Sequence, residues 1–235
     1  MVDGKALQFA QQAVYYKMYK PRGLLSDIGG DARGRPTVAD LLPDDARRVF
    51  PVGRLDLNSE GLVLLTDDGD LAHKLTHPRY QHPKTYYVLV AERPGERALE
   101  QLRTGVEWPE GRSAPAQVKV VNKPPAELTL DKGGSDGVWL EIVLREGKKR
   151  QIRHMTSAVG FSTLRLIRWS IGPLTLAKLA PSSCTHLSKG EVAALQKMVA
   201  GVKEKSSEPS SPGQRQRRSP RGKNSHRSQK SKKTP

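Results

Sequence analysis

Residues 203–235 contain no Ala, Val, Ile, Leu, Met, Phe, Trp, Tyr or Cys, so nothing in that run can offset the entropy of ordering it. Whatever folds must therefore be built from the first 202 residues, a length that fits one large domain or two small ones. The same run holds 11 Lys+Arg against 2 Asp+Glu, so it supplies +9 of the formal net charge of +16 and leaves +7 to the body. It reads as a disordered basic tail. A basic body with a basic arm rich in Ser, Gln and Pro is the electrostatic footprint of a polyanion partner, most commonly nucleic acid; the alternative is a solubilising extension.

The single cysteine, Cys184, excludes an internal disulfide and a cysteine-based zinc site, which fits a reducing compartment. Apolar runs such as Leu62 to Leu65 and Tyr86 to Ala91 fall far short of the roughly 20 residues of a membrane span, and no signal-type apolar block opens the chain. The expectation is a soluble, cytoplasmic protein with no membrane contact.

Strand-like and helix-like periods alternate through the body, which predicts an α+β fold. Strands are expected at Val14 to Tyr19, Val49 to Gly53, Gly61 to Thr66, Lys84 to Ala91, Ala116 to Val121, Glu127 to Leu130, Val138 to Leu144 and Thr163 to Trp169. Short helices are expected at Thr37 to Leu42, closed by Pro43, and from the Asp67 to Asp70 turn through Leu75. Glu96 to Arg103 places Ala98, Leu99 and Leu102 on one face and stops at Gly105. Lys148 to Val159 turns Ile152, Met155 and Val159 inward, and Lys132-Gly133-Gly134-Ser135 marks a turn. The last helix opens on a capping box, Ser188 with Glu191, and ends at Gly201.

Three segments carry candidate chemistry. In Gly53-Arg54-Leu55-Asp56-Leu57-Asn58-Ser59-Glu60-Gly61-Leu62, Asp56 lies between two leucines at the joint of two strands. It is either a carboxylate kept ionised by facing cations or donors, or a turn aspartate bonded to its own backbone. In Lys84-Thr85-Tyr86-Tyr87-Val88 neighbouring side chains face opposite sides of a strand, so one tyrosine can be core while the other offers a stacking ring and a phenol to a cleft. Glu146 to His154 sets Lys148, Lys149, Arg150, Arg153 and His154 at the start of an amphipathic helix. That cluster suits phosphate binding, a buried carboxylate or a solvated face, and it lacks the glycine pattern of a phosphate loop.

Taken in this order, the segments closely resemble the RsuA-type pseudouridine synthases, which isomerise uridines in ribosomal RNA. The resemblance covers nearly all of residues 14–200. It rests on Lys20-Pro21-Arg22-Gly23, on Gly-Arg-Leu-Asp at 53–56 followed by Ser-Glu-Gly-Leu at 59–62, and on Lys84-Thr85-Tyr86. It rests equally on Glu146 to Arg153 and on Leu164-Arg165-Leu166-Ile167-Arg168 followed by Ile171-Gly172.

The resemblance implies a largely antiparallel mixed sheet with flanking helices and a central cleft. Residues 14–202 would form the catalytic domain, behind an extension at 1–13 that holds no S4-type RNA-binding domain. Asp56 would be the catalytic carboxylate, stabilising charge at ribose C1′, attacking it, or setting up removal of a ribose proton. Arg153 would pair with Asp56 and keep it ionised, and Tyr86 would stack on the uracil and accept the C5 proton. Arg54, Lys84, Lys148, Lys149, Arg150 and His154 would bind substrate. The closing strand most resembles members acting on the large subunit, so 23S rRNA is the preferred partner, with 16S rRNA next. A monomer without metal or other cofactor is expected, and His73, His77 and His82 form no recognisable ligand set. The alternatives are a non-catalytic RNA-binding or ribosome-assembly factor on this fold and a nucleoside hydrolase.

Overall fold

A computed structural model describes residues 12–44, 46, 48–109, 111–130 and 136–201. The basic tail, most of the amino-terminal extension and the Lys132–Ser135 turn lie outside the described residues. The strands are β1 Tyr15–Lys20, β2 Phe50–Pro51, β3 Glu60–Thr66, β4 Lys84–Val90, β5 Glu107–Trp108, β6 Gly111–Arg112, β7 Gln117–Val121, β8 Val138–Leu144, β9 Thr163–Ile171, β10 Leu174–Thr175 and β11 Cys184–His186. The helices are α1 Gly69–Thr76, α2 Glu96–Thr104, α3 Gln151–Ala158 and α4 Lys189–Ala200. None of them is long and apolar enough to cross a membrane.

Among the described residues nine strands form one sheet along the path β11-β1-β3-β9-β4-β8-β7, with β2 added to β3 and β10 to β9; β5 and β6 pair separately. All ladders are antiparallel except β3 with β9, whose parallel register pairs Glu60 with Ile167 and Gly61 with Arg168. Strand β3 is buried from end to end because both its faces are covered. Leu62 and Leu64 join one core with Tyr19, Tyr87, Ile167 and Leu195 of α4, while Val63 and Leu65 join another with Tyr16, Met18 and Leu55. Strand β4 divides its residues in the same way. Tyr86, Val88 and Val90 pack in a third core with α2 and α3, and Tyr87 packs with the first.

Local chemistry sets the helix ends. Asp68 caps α1 through the Leu71 N–H at 2.9 Å, and Ser188 with Glu191 forms the expected capping box of α4. Glu191 also accepts from Lys17 of β1 at 2.6 Å.

Four expectations are corrected. Glu127 to Leu130 is not a strand: Pro124 and Pro125 break the extension of β7, and the Leu128 N–H closes a turn on the Pro125 carbonyl at 2.9 Å. The helix expected from Lys148 begins at Gln151, because Arg150 is left-handed at φ 52°. The Gln151 side chain ties the preceding turn by accepting from the Lys148 N–H at 3.0 Å and donating to Glu146 at 2.5 Å. Thr37 to Leu42 shortens to a single 3-10 turn over Val38–Leu41 behind a Thr37 cap. Val49 to Gly53 contributes only the two residues of β2.

Candidate active site

The loop from β2 into β3 carries Asp56 at the start of a turn closed by the Ser59 N–H on the Asp56 carbonyl at 3.0 Å. Its backbone is tied from several sides. Lys20, at the end of β1 and wholly buried, directs its ammonium at the carbonyls of Pro21 (2.9 Å), Ser59 (2.8 Å) and Leu57 (3.5 Å). The Gly23 N–H donates to the Leu57 carbonyl at 2.9 Å. Ser26 Oγ donates to the Leu55 carbonyl and accepts from the Leu55 N–H, both at 3.0 Å. Burial pushes the Lys20 ammonium down to about 8, opposed by the charges of Glu60 and Asp56 and assisted by that of Arg168. The four-residue segment Lys20-Pro21-Arg22-Gly23 is thus a clamp on the Asp56 turn.

Behind the turn, Glu60 accepts from Arg165 at 2.7 Å on each oxygen, a bidentate pair with both side chains buried. Arg22 adds a third bond to Glu60 at 2.8 Å. Glu60 therefore anchors strands and is no partner carboxylate for Asp56. Gly61 follows at φ 112°, and Leu62 lends its carbonyl to Arg168 Nε at 2.7 Å.

Asp56 opens into a cleft of about 700 Å³. Arg54, Tyr86, Lys148, Lys149 and Arg150 share its lining with Asp56, as do Asp27, Asp31 and Arg35. Asp31 and Arg35 bind each other at 2.8 Å, and the Arg35 hydrogen bonds hold the Asp31 carboxyl well below the usual carboxylate range. Tyr86 is buried to 8% exposure and presents its remaining surface to the cleft, whereas Tyr87 donates to Glu141 at 2.8 Å.

Three expected site residues stand elsewhere. Arg153 makes no direct ion pair with Asp56: its Nη2 donates to the Asn58 carbonyl at 2.7 Å and its Nη1 to the Thr163 carbonyl at 3.3 Å. Burial pushes the Arg153 guanidinium down, with the charges of Arg150 and Arg22 adding to that and the charge of Asp56 opposing. Arg153 thus grips the turn that bears Asp56 from the other side. His154 stacks on Trp108 at 5.7 Å and 10°, outside the cleft lining. Lys84 is also outside it, with its ammonium 3.4 Å from the His82 carbonyl and pushed down to about 8 by burial and by Arg168.

His73, His77 and His82 contact Tyr80 as an aromatic cluster, and among the described residues no three His, Cys, Asp or Glu are grouped as a metal site.

The sequence reading missed the roles of Lys20, Arg165 and Arg168. Their signal was charge within apolar strands, since all three sit among buried residues of β1 or β9. The assembled site sets the Asp56 carboxylate on a rigid turn beside an aromatic ring with a phenol and the exposed cations Arg54, Lys148, Lys149 and Arg150. It suits a planar ring on an anionic chain.

Residues 14–158 match the family model described as RNA pseudouridylate synthase. The chain is 41% identical over 191 residues to the ribosomal large subunit pseudouridine synthase E of Vibrio vulnificus, covering 78% of this chain and 79% of that protein. It is 36% identical over 189 residues to the ribosomal large subunit pseudouridine synthase B of Bacillus subtilis, covering 80% and 74%. A solved structure titled as a pseudouridylate synthase superposes with a TM-score of 0.67 at 26% identity, over 80% of this chain and 75% of that one.

Proposed function

Because the chain belongs to the RNA pseudouridylate synthase family, we propose that it isomerises one uridine of 23S ribosomal RNA to pseudouridine, with Asp56 as its catalytic carboxylate. The observation that carries the reading is the placement of Asp56: a carboxylate on a turn clamped by Lys20, Gly23 and Ser26, opening into the same cleft as Tyr86. The large-subunit substrate is supported by the names of the Vibrio and Bacillus relatives.

The chemistry follows from the residues. Breaking the glycosidic bond leaves positive charge at C1′, and a fixed carboxylate meets that charge without having to reorganise. The uracil turns in the cleft and bonds again through C5. Tyr86 stacks on the ring and takes the C5 proton. Arg153 serves by holding the Asn58 carbonyl and by placing its charge within reach of Asp56. Arg54, Lys148, Lys149 and Arg150 meet the phosphates of a target nucleotide extruded from its stack, a step that costs a few kcal/mol. Residues 14–202 suffice for this chemistry as a cytoplasmic monomer, and no step needs a metal or an organic cofactor.

The test is pseudouridine mapping in both rRNAs from cells with and without the protein, and in cells carrying Asp56→Asn. One 23S site should vanish in the deletion and stay absent with Asp56→Asn. A lost 16S site would move the substrate to the small subunit, and turnover by Asp56→Asn would overturn the role of Asp56. Because isomerisation leaves mass unchanged, free uracil as product would replace it by hydrolysis.

A further inference from the structure

Arg168 meets Arg54, Leu62 and Tyr86 and makes no ion pair with a carboxylate among the described residues. It is 3% exposed. Its Nε donates to the Leu62 carbonyl at 2.7 Å and its Nη1 approaches the Arg54 carbonyl at 3.4 Å. The Tyr86 phenol lies beside the guanidinium and favours its charged form by charge and by hydrogen bonding, against the larger effect of burial. Among the described residues its Nη2, also buried, has no hydrogen-bond acceptor.

This meeting is built into the sheet. Arg168 and Tyr86 are register partners between β9 and β4, and the register shifts between Thr85 and Tyr86 immediately before them. A bulge of that kind re-aims a side chain. Here it brings the phenol and a buried, uncompensated guanidinium together. Such a cation gains most when its neighbour becomes negative, because the surroundings screen poorly.

We propose that Arg168 is a positioning residue that acts through Tyr86, holding its phenol oxygen and stabilising the phenolate that takes the C5 proton. The inference rests on the pseudouridine synthase reading of the cleft. After C5 has bonded to C1′, the C5–H bond breaks and its proton passes to the phenolate oxygen. The electron pair left behind restores the C5=C6 double bond, and the pair of the C6=N1 bond moves to N1, which takes a proton from water. The phenol then returns its proton to water.

The experiment measures turnover of target RNA with protium or deuterium at C5 of the target uridine, for the wild type, Arg168→Met, Arg168→Lys, Tyr86→Phe and the Arg168→Met/Tyr86→Phe pair. Removal of general-base assistance typically costs 10²-fold or more. Arg168→Met should therefore lower kcat by about 100-fold with KM within about twofold, and should unmask a C5 isotope effect. Arg168→Lys should recover part of the rate, and Arg168→Met should cost little more once Tyr86 is Phe. Because the substitution also removes the bond to Leu62, the wild type gives an independent reading: its C5 isotope effect should grow as pH falls. Equal losses from Arg168→Met with and without the Tyr86 hydroxyl, or an isotope effect indifferent to both pH and Arg168, would overturn the proposal. Wild-type protein that forms no pseudouridine would instead overturn the reading beneath it.

Discussion

Gly61 of β3 and Arg168 of β9 meet backbone to backbone: a Cβ on Gly61 would stand 2.3 Å from the Arg168 carbonyl oxygen and 2.6 Å from its nitrogen. Gly61 also holds φ 112°, a conformation L side chains rarely adopt. Both demands fall at the parallel join of β3 and β9, directly after the Asp56 turn.

Gly61→Ala should therefore cost about 2–4 kcal/mol, from strain and from a contact that only backbone movement relieves. Urea denaturation measures the loss. Because relief must push β9 away from β3, turnover should fall even under conditions where the variant is fully folded. A variant as stable as wild type would mean that the two strands separate at no cost.

Glu60→Gln keeps shape but removes the charge that Arg165 and Arg22 share. Arg165 is buried with Glu60, so the substitution removes a bidentate carboxylate partner from a poorly solvated guanidinium, and breaking such a pair typically costs about 3–5 kcal/mol. Replacing Glu60 and Arg165 together by leucines should recover much of that, since neither charge is then stranded. The two denaturation midpoints decide it: a double variant worse than Glu60→Gln would show that the pair contributes net stability of its own.

The elements legible in the sequence were those set by local pattern. The Ser188 box, the Asp67 to Asp70 turn before α1, the strand at Val138 to Leu144 and the stripe of α2 all follow from signals within a few residues. The misread segments turned on competing local signals, such as Pro124 and Pro125 ahead of Glu127, and in one case on a distant partner as well. Arg150 adopts a left-handed turn because Glu146 and Gln151 hold the chain there, and Glu146 is in turn engaged by the Ala114 N–H at 2.7 Å. The site divides likewise. Asp56 and Tyr86 were visible from their segments, and the structure places both on one cleft. The expected contact between Arg153 and Asp56 could not be decided from spacing, because it depends on which carbonyl of the turn faces α3. Lys20 entered the sequence reading only as part of the Lys20-Pro21-Arg22-Gly23 motif, and its role depends on the fold closing three carbonyls around it.

Lys20 and Lys84 are both pushed down to about 8 from an ordinary value of 10.5, chiefly by burial. Below pH 8 both the folded and the unfolded chain hold these protons, so the contribution to stability is flat. Between about 8 and 10.5 the unfolded chain still binds protons that the folded one has released, so stability rises with pH, by at most about 1.4 kcal/mol per pH unit for each lysine. Neutral Lys20 grips its carbonyls less firmly, so turnover should fall over the same range. Calorimetry from pH 7.5 to 10 on wild type and Lys84→Met should show a shallower rise in the variant, and identical slopes would exclude Lys84 as a source.

The basic run at 203–235 offers RNA chiefly charge and backbone contacts, since it holds 11 Lys+Arg and no Ala, Val, Ile, Leu, Met, Phe, Trp, Tyr or Cys. Phosphate contacts carry no base information, so deleting it should weaken binding almost equally for target and scrambled RNA. If it engages about five phosphates at once, a slope of about 0.7 per phosphate for single strands makes log K less steep in log salt by roughly 3–4 units. Binding of full-length and truncated protein across a salt series measures that difference directly. An unchanged slope would show that the tail does not touch RNA, and a loss confined to the target would show that it reads more than charge.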